Sequence, residues 1–104
     1  MFLSIHTITG DPDDLLACKR QHMDPITERL APRHGAILSI TSKADDGIVT
    51  VNLWQTAESA ATFSSEPEAL QAQKNSGLPA PTGFQRFAEA DVTVYQRCPT
   101  GAPQ

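Results

Sequence analysis

The sequence has little that could hold a metal, a disulfide or a nucleotide. Its only two cysteines, Cys18 and Cys98, lie far apart, without C-x-x-C spacing and without a histidine at ligand spacing. A zinc site or a dithiol motif is therefore not expected, and both are taken as reduced bystander thiols. Glycine-rich phosphate loops and the Ser-His-Asp elbow are also missing, which disfavours nucleotide binding and serine-hydrolase chemistry. No block of like charge occurs. The 12 acidic and 8 basic residues are scattered, for a net charge of −4 and a pI near 5.1. Binding to nucleic acid draws on clustered Lys and Arg. The nearest approach is Lys19-Arg20, with Arg29 and Arg33 further along, and it reads as the solvated face of a helix. Apolar runs are strand-sized, far below the ~20 residues of a membrane span. The opening Met1-Phe2-Leu3-Ser4-Ile5-His6 lacks the basic region and apolar stretch of a signal peptide. The expectation is a cytoplasmic protein with neither nucleic acid nor membrane as partner.

What is present suits one small globular domain. The chain has 104 residues, 39% apolar and 19% charged, an ordinary composition for a soluble fold. A chain of this length buries only about two thirds of its unfolded surface, so association is a common remedy for its marginal core. The domain is expected to span residues 1–98, with 99–104 as a disordered tail.

Residues 2–9 (FLSIHTIT) are rich in β-branched and aromatic types and end at Gly10, which predicts a strand. Asp11-Pro12 opens a helix, an N-cap acceptor followed by a residue with no amide to satisfy. Leu16, Met23 and Leu30, with Ile26 between them, form one apolar stripe to about residue 33. Pro25 interrupts it, predicting a kink or two abutting helices with Asp24 capping the second, and Gly35 ends the element. Residues 36–43 (AILSITSK) and 48–54 (IVTVNLW) form a hairpin through Ala44-Asp45-Asp46-Gly47, whose Asp-Gly step is expected to supply positive backbone angles. A second helix starts with Thr56 as N-cap, restarts at Glu66-Pro67 and closes at Gly77. Residues 77–83 (GLPAPTG) predict a loop, and 90–97 (ADVTVYQR) a last strand. The order is β-α-β-β-α-β, a ferredoxin-like α+β sandwich.

Alternation along the strands divides the sheet into two apolar faces. Leu3 and Ile5 take one side of the first strand, and Ser4, His6 and Ile8 the other. Val49, Val51 and Leu53 oppose Ile48, Thr50, Asn52 and Trp54 on the third. Two helices cover one face, and leaving several large aliphatics of the other in water forfeits roughly 1.5–3 kcal/mol each. A homodimer paired sheet to sheet is therefore expected.

The stretch VNLWQTAESAATF (Val51 to Phe63), a Trp at a strand end followed by a short turn and an Ala/Glu-rich helix, resembles the antibiotic-biosynthesis-monooxygenase group of dimeric α+β barrel proteins. Element order and spacing extend the resemblance over roughly residues 2–97. It implies two ferredoxin-like sheets closed into a dimeric barrel, with a pocket between sheet and helices. It also implies cofactor-independent oxygenation of aromatic or polyketide-like quinols, although the superfamily includes cyclases, isomerases, haem degraders and proteins without known activity. Trp54 matches the pocket Trp of the group. His6 stands where haem degraders carry a first-strand Asn, and residues 57–90 hold no His to match their axial ligand. Haem degradation accordingly ranks last.

The first and third strands are central neighbours in this topology, so His6, Asn52 and Trp54 can converge on one face. His6 can move a proton near neutral pH, Asn52 can donate to an oxyanion, and Trp54 can stack on a planar ligand. Each has a plainer explanation as a hydrogen-bonded or core residue. His22, Tyr95 and Arg86 are further candidates for the pocket wall, while Phe84 and Phe87 are expected to pack. The expectation is an enzyme without metal or cofactor, acting by proton abstraction on a hydrophobic aromatic molecule. The alternative is a protein that binds such a molecule unchanged.

Overall fold

A computed structural model describes residues 1–95. The expected tail, Cys98, and the end of the expected last strand lie outside the described residues. Strand β1 (Phe2–Thr9) leads to helix α1 (Pro12–Cys18), a π-helical turn (Lys19–Met23), α2 (Asp24–Leu30) and a 3-10 turn (Ala31–His34). The hairpin β2 (Ala36–Ala44) and β3 (Gly47–Trp54) follows, then α3 (Ala57–Ser64), α4 (Pro67–Ser76) and β4 (Gly83–Phe87). The strands form one antiparallel sheet in the order β2-β3-β1-β4, a ferredoxin-like α+β fold. Among the described residues no helix is long and apolar enough to cross a membrane.

The helix starts follow from their caps. The Asp11 carboxylate accepts from the Asp14 amide at 3.0 Å, with Pro12 next in line, and the Thr56 hydroxyl accepts from the Ser59 amide at 3.0 Å. Both satisfy first-turn donors that have no partner within the helix. Gly35 and Gly77 end their helices in the left-handed conformation. The interruption at Pro25 has a more specific form than a kink. Pro25 lacks an amide and its ring would collide with the Gln21 carbonyl in a regular helix. The chain widens by one residue instead, and the Asp24 amide donates to the Lys19 carbonyl, the spacing of a π-turn. Asp24 is therefore not the cap of α2, and its carboxylate caps no amide.

Two strand expectations are corrected. The hairpin contains no positive φ at Asp46 or Gly47. Gly47 is required for a different reason, because a Cβ there would overlap the carbonyl oxygen of Ile8 on the neighbouring strand. The Gly10 amide donates to the Asp46 carbonyl at 2.9 Å and ties the turn to the end of β1. Among the described residues the last strand is Gly83–Phe87, beginning where a loop was expected, and residues 91–95 are in no strand. Pairing decides this against the stronger alternation of residues 90–97. The Thr82 amide donates to Thr7 and the Ala90 amide already reaches the Met1 carbonyl, so residues 91–95 run past the end of β1.

The core lies between sheet and helices. Phe2, Ile48 and Trp54 are buried on the sheet, with Leu15, Leu30, Ala69 and Ala72 on the helices. Leu15 was not part of the expected stripe, whose Leu16 and Met23 are half-buried. On the opposite face Leu53 is buried, while Ile40 and Phe87 are exposed.

Replacing Gly47 by Ala is expected to push β1 and β3 apart and to lower stability by roughly 1–3 kcal/mol, as overpacking does. Urea denaturation reads this as a fall in midpoint at unchanged slope.

Candidate functional site

Register brings the expected trio to one face. His6 pairs with Thr50, Ser4 with Asn52 and Phe2 with Trp54, so His6, Asn52 and Trp54 point alternately along two neighbouring strands toward the helices. All three line a cavity of about 540 Å³ between the sheet and the helical layer, a volume within the range of small-molecule sites.

The sheet supplies an uncharged wall. Thr41 and Thr50 hold each other through their hydroxyls at 3.1 Å. Trp54 is 6% exposed, its ring 5.4 Å from that of Phe63, which in turn meets His34 edge-on at 5.7 Å. It is thus a core residue with one part facing the cavity. At the end of β2 a bulge between Ala36 and Leu38 leaves Ile37 without a partner and places it on the cavity lining, the re-aiming that a bulge performs.

His6 is half-buried. Its ring meets Phe84 of β4 edge-on at 4.4 Å, and the Arg86 guanidinium lies over the same Phe84 ring, 4.6 Å from its centre. Burial, and secondarily the charge of Arg86, lower its pKa below the ordinary 6.5. At neutral pH the imidazole is uncharged and can accept a proton. Among the described residues neither ring nitrogen of His6 nor the Asn52 carboxamide has a protein hydrogen-bond partner, so both remain open to a ligand.

Three expected pocket residues do not line the cavity. His22 lies on the outer side of the π-turn and is exposed. Tyr95 is 94% exposed in the segment that runs past the sheet. Arg86 is exposed on edge strand β4 and reaches the site only through Phe84 and its field on His6. Phe84 and Phe87, expected to pack, are 46% and 47% exposed, although Phe84 covers the His6 ring.

The helical wall holds what the sequence did not disclose. Lys19, assigned to a solvated face, lines the cavity together with Asp24, and the Lys19 ammonium donates to the Asp24 carboxylate at 2.6 Å. Residues five apart lie roughly 140° apart around a regular α-helix, so this pair exists because the turn is π-helical. The signal was the acidic-Pro step inside a periodic stripe, taken only as a break. Cys18 stands outside the cavity, its thiol donating to the Ser76 carbonyl at 2.9 Å. No cluster of three His, Cys, Asp or Glu side chains placed to hold a metal occurs among the described residues.

Neither a protein-family model nor a curated protein sequence matches the chain. Solved structures do. A Deinococcus radiodurans protein assigned as an antibiotic biosynthesis monooxygenase superposes with a TM-score of 0.67 at 16% identity, over 93% of this chain and 100% of that one. The monooxygenase from the Streptomyces coelicolor gene ActVA-Orf6, in complex with nanaomycin D, gives 0.65 at 16% identity, over 91% and 92%. SnoaB, a cofactor-independent oxygenase from Streptomyces nogalater, gives 0.61 at 16% identity, over 91% and 95%. The chain has the fold of the antibiotic-biosynthesis-monooxygenase-like proteins, as the Val51–Phe63 stretch implied.

A lowered His6 pKa has a stability consequence of definite sign. Between the unfolded and folded values the unfolded chain binds the extra proton, so stability rises with pH there. Stability is expected to fall as pH drops below about 6.5, until His6 is protonated in the folded state as well. Titration of the His6 ring by NMR should give a value below that of a free histidine, rising on Arg86→Gln. His6→Gln should remove this residue's share of the acid-side stability loss.

Proposed function

We propose that this chain is a cofactor-independent monooxygenase of phenolic, polyketide-like quinols, working as a homodimer. The observation that carries the reading is an uncharged histidine on the same cavity wall as a free carboxamide and an indole. Similarity of fold to SnoaB and to the nanaomycin-bound Streptomyces coelicolor enzyme supports it.

In this reading the ligand's ring sits against Trp54 and Phe63. A His6 nitrogen accepts the proton of a ring hydroxyl, which turns a weak electron donor into a strong one. The Asn52 amide donates to the oxyanion so formed. The deprotonated ring itself reduces dioxygen, so that a ring C–H and O₂ become a quinone C=O and water. All electrons come from the substrate.

Oxygen uptake by metal-stripped protein supplied with dihydroxynaphthalenes is the test. Turnover is expected, falling on the order of 100-fold or more in His6→Ala. A second reading, carriage of the aromatic molecule without reaction, is favoured because no side chain among the described residues orients the His6 ring through a hydrogen bond. No uptake, with bound quinol recovered unchanged, would replace the first reading by the second.

Dimerisation is part of the proposal because Ile40 and Phe87 are exposed on the face opposite the cavity, where a second copy would cover them. Val51→Asp places an unpaired charge on that face and should shift sedimentation from dimer to monomer or unfold the chain. Thr50→Asp, which addresses the cavity, should leave association largely intact. A wild-type monomer at micromolar concentration would end the dimer proposal.

A further inference from the structure

Among the described residues five charged or titratable side chains line the cavity: His6 from β1, Lys19 and Arg20 from the π-turn, and Asp24 and Glu28 from α2. Arg20 and Glu28 are exposed, where water and salt screen them. Lys19 and Asp24 are withdrawn from solvent, their side chains 20% and 28% exposed, and Lys19 is the more buried. An ammonium has three donors, and one of them is engaged by Asp24.

Deprotonating a phenol here creates an anion in a partly apolar cavity, which is costly without a counter-charge. His6 is a poor keeper of that counter-charge. Its burial and the nearby Arg86 both disfavour the imidazolium, so the proton it accepts passes on to water. The charge that remains to face the phenolate is that of Lys19.

Resting on the function proposed above, we propose that Lys19 is the counter-charge for an anionic ring oxygen of the cavity's ligand, exchanging its bond to Asp24 for one to the phenolate. The proton leaves the ring hydroxyl for a His6 nitrogen and then solvent. No bond other than O–H breaks, and the Lys19 ammonium keeps all its protons. The substrate class is thereby narrowed to aromatic molecules with an ionisable ring hydroxyl that reaches the helical wall. The π-turn acquires a function as the element that turns Lys19 inward.

The test needs no turnover. The full chain is titrated with 4-nitro-1-naphthol, whose naphtholate absorbs at longer wavelength than its neutral form, and quenching of Trp54, the only tryptophan, reports binding. The bound naphthol is expected to ionise about one pH unit lower than the free one, as a neighbouring opposite charge produces. Lys19→Met should bring the bound value back to the free one or above it, and Lys19→Arg should restore the lowering. Asp24→Asn, which leaves Lys19 unshared, should lower it further, and this variant decides the matter if Lys19→Met fails to fold. A naphthol that binds with unshifted ionisation, or a lowering that survives Lys19→Met, or no deepening in Asp24→Asn, overturns the assignment to Lys19 while leaving the cavity an aromatic site. Absence of quenching overturns the aromatic cavity and the Lys19 proposal together.

Discussion

The pairing of β1 with β3 in a single register is the constraint on which both faces of the sheet depend. Side chains alternate with period two, so a slip of one residue would send His6 to the outer face and bring Ile5 and Thr7 to the cavity. Two backbone features hold the register at the hairpin end. Gly47 alone lets β3 come close to Ile8, and the Asp46 carbonyl receives the amide of Gly10. At the far end the Ala90 amide closes on Met1. Between these points the chain has no freedom to choose which residues face the cavity.

The helical layer obeys a second constraint, which is local. One proline without an amide forces the helix to absorb an extra residue, and that residue converts a surface lysine into a cavity-lining one. The resulting pair with Asp24 joins one ammonium donor to one carboxylate oxygen, and its members line the cavity from the helical side. The cavity therefore has unlike walls: hydroxyl, carboxamide, imidazole and indole from the sheet, and formal charge from the helices.

Much of this was legible in the residues because it rests on periodicity and on local chemistry. The division of His6, Asn52 and Trp54 from Leu3, Val51 and Leu53 follows from alternation alone, and the caps at Asp11 and Thr56 from short-range hydrogen bonding. What escaped depends on partners distant in the chain. The last strand was misplaced because Val92, Val94 and Tyr95 alternate well, whereas Gly83–Phe87 has the strand to pair with. Arg86 and Tyr95 were assigned to the pocket by side-chain type, but edge position and exposure remove them from it. The Lys19–Asp24 pair escaped because helical periodicity assumes a constant turn, and a π-turn changes it at one point.

The bulge at Ile37 makes the two ends of β2 independent of one another. From Leu38 to Ala44 the strand is locked to β3 residue by residue, while Ala36 answers to Trp54 across one unpaired position. A residue gained or lost between Gly35 and Ile37 would be absorbed there and would pass no further into the sheet. Descendants of such a chain could therefore re-tailor one end of the cavity while inheriting the end that holds His6 unchanged.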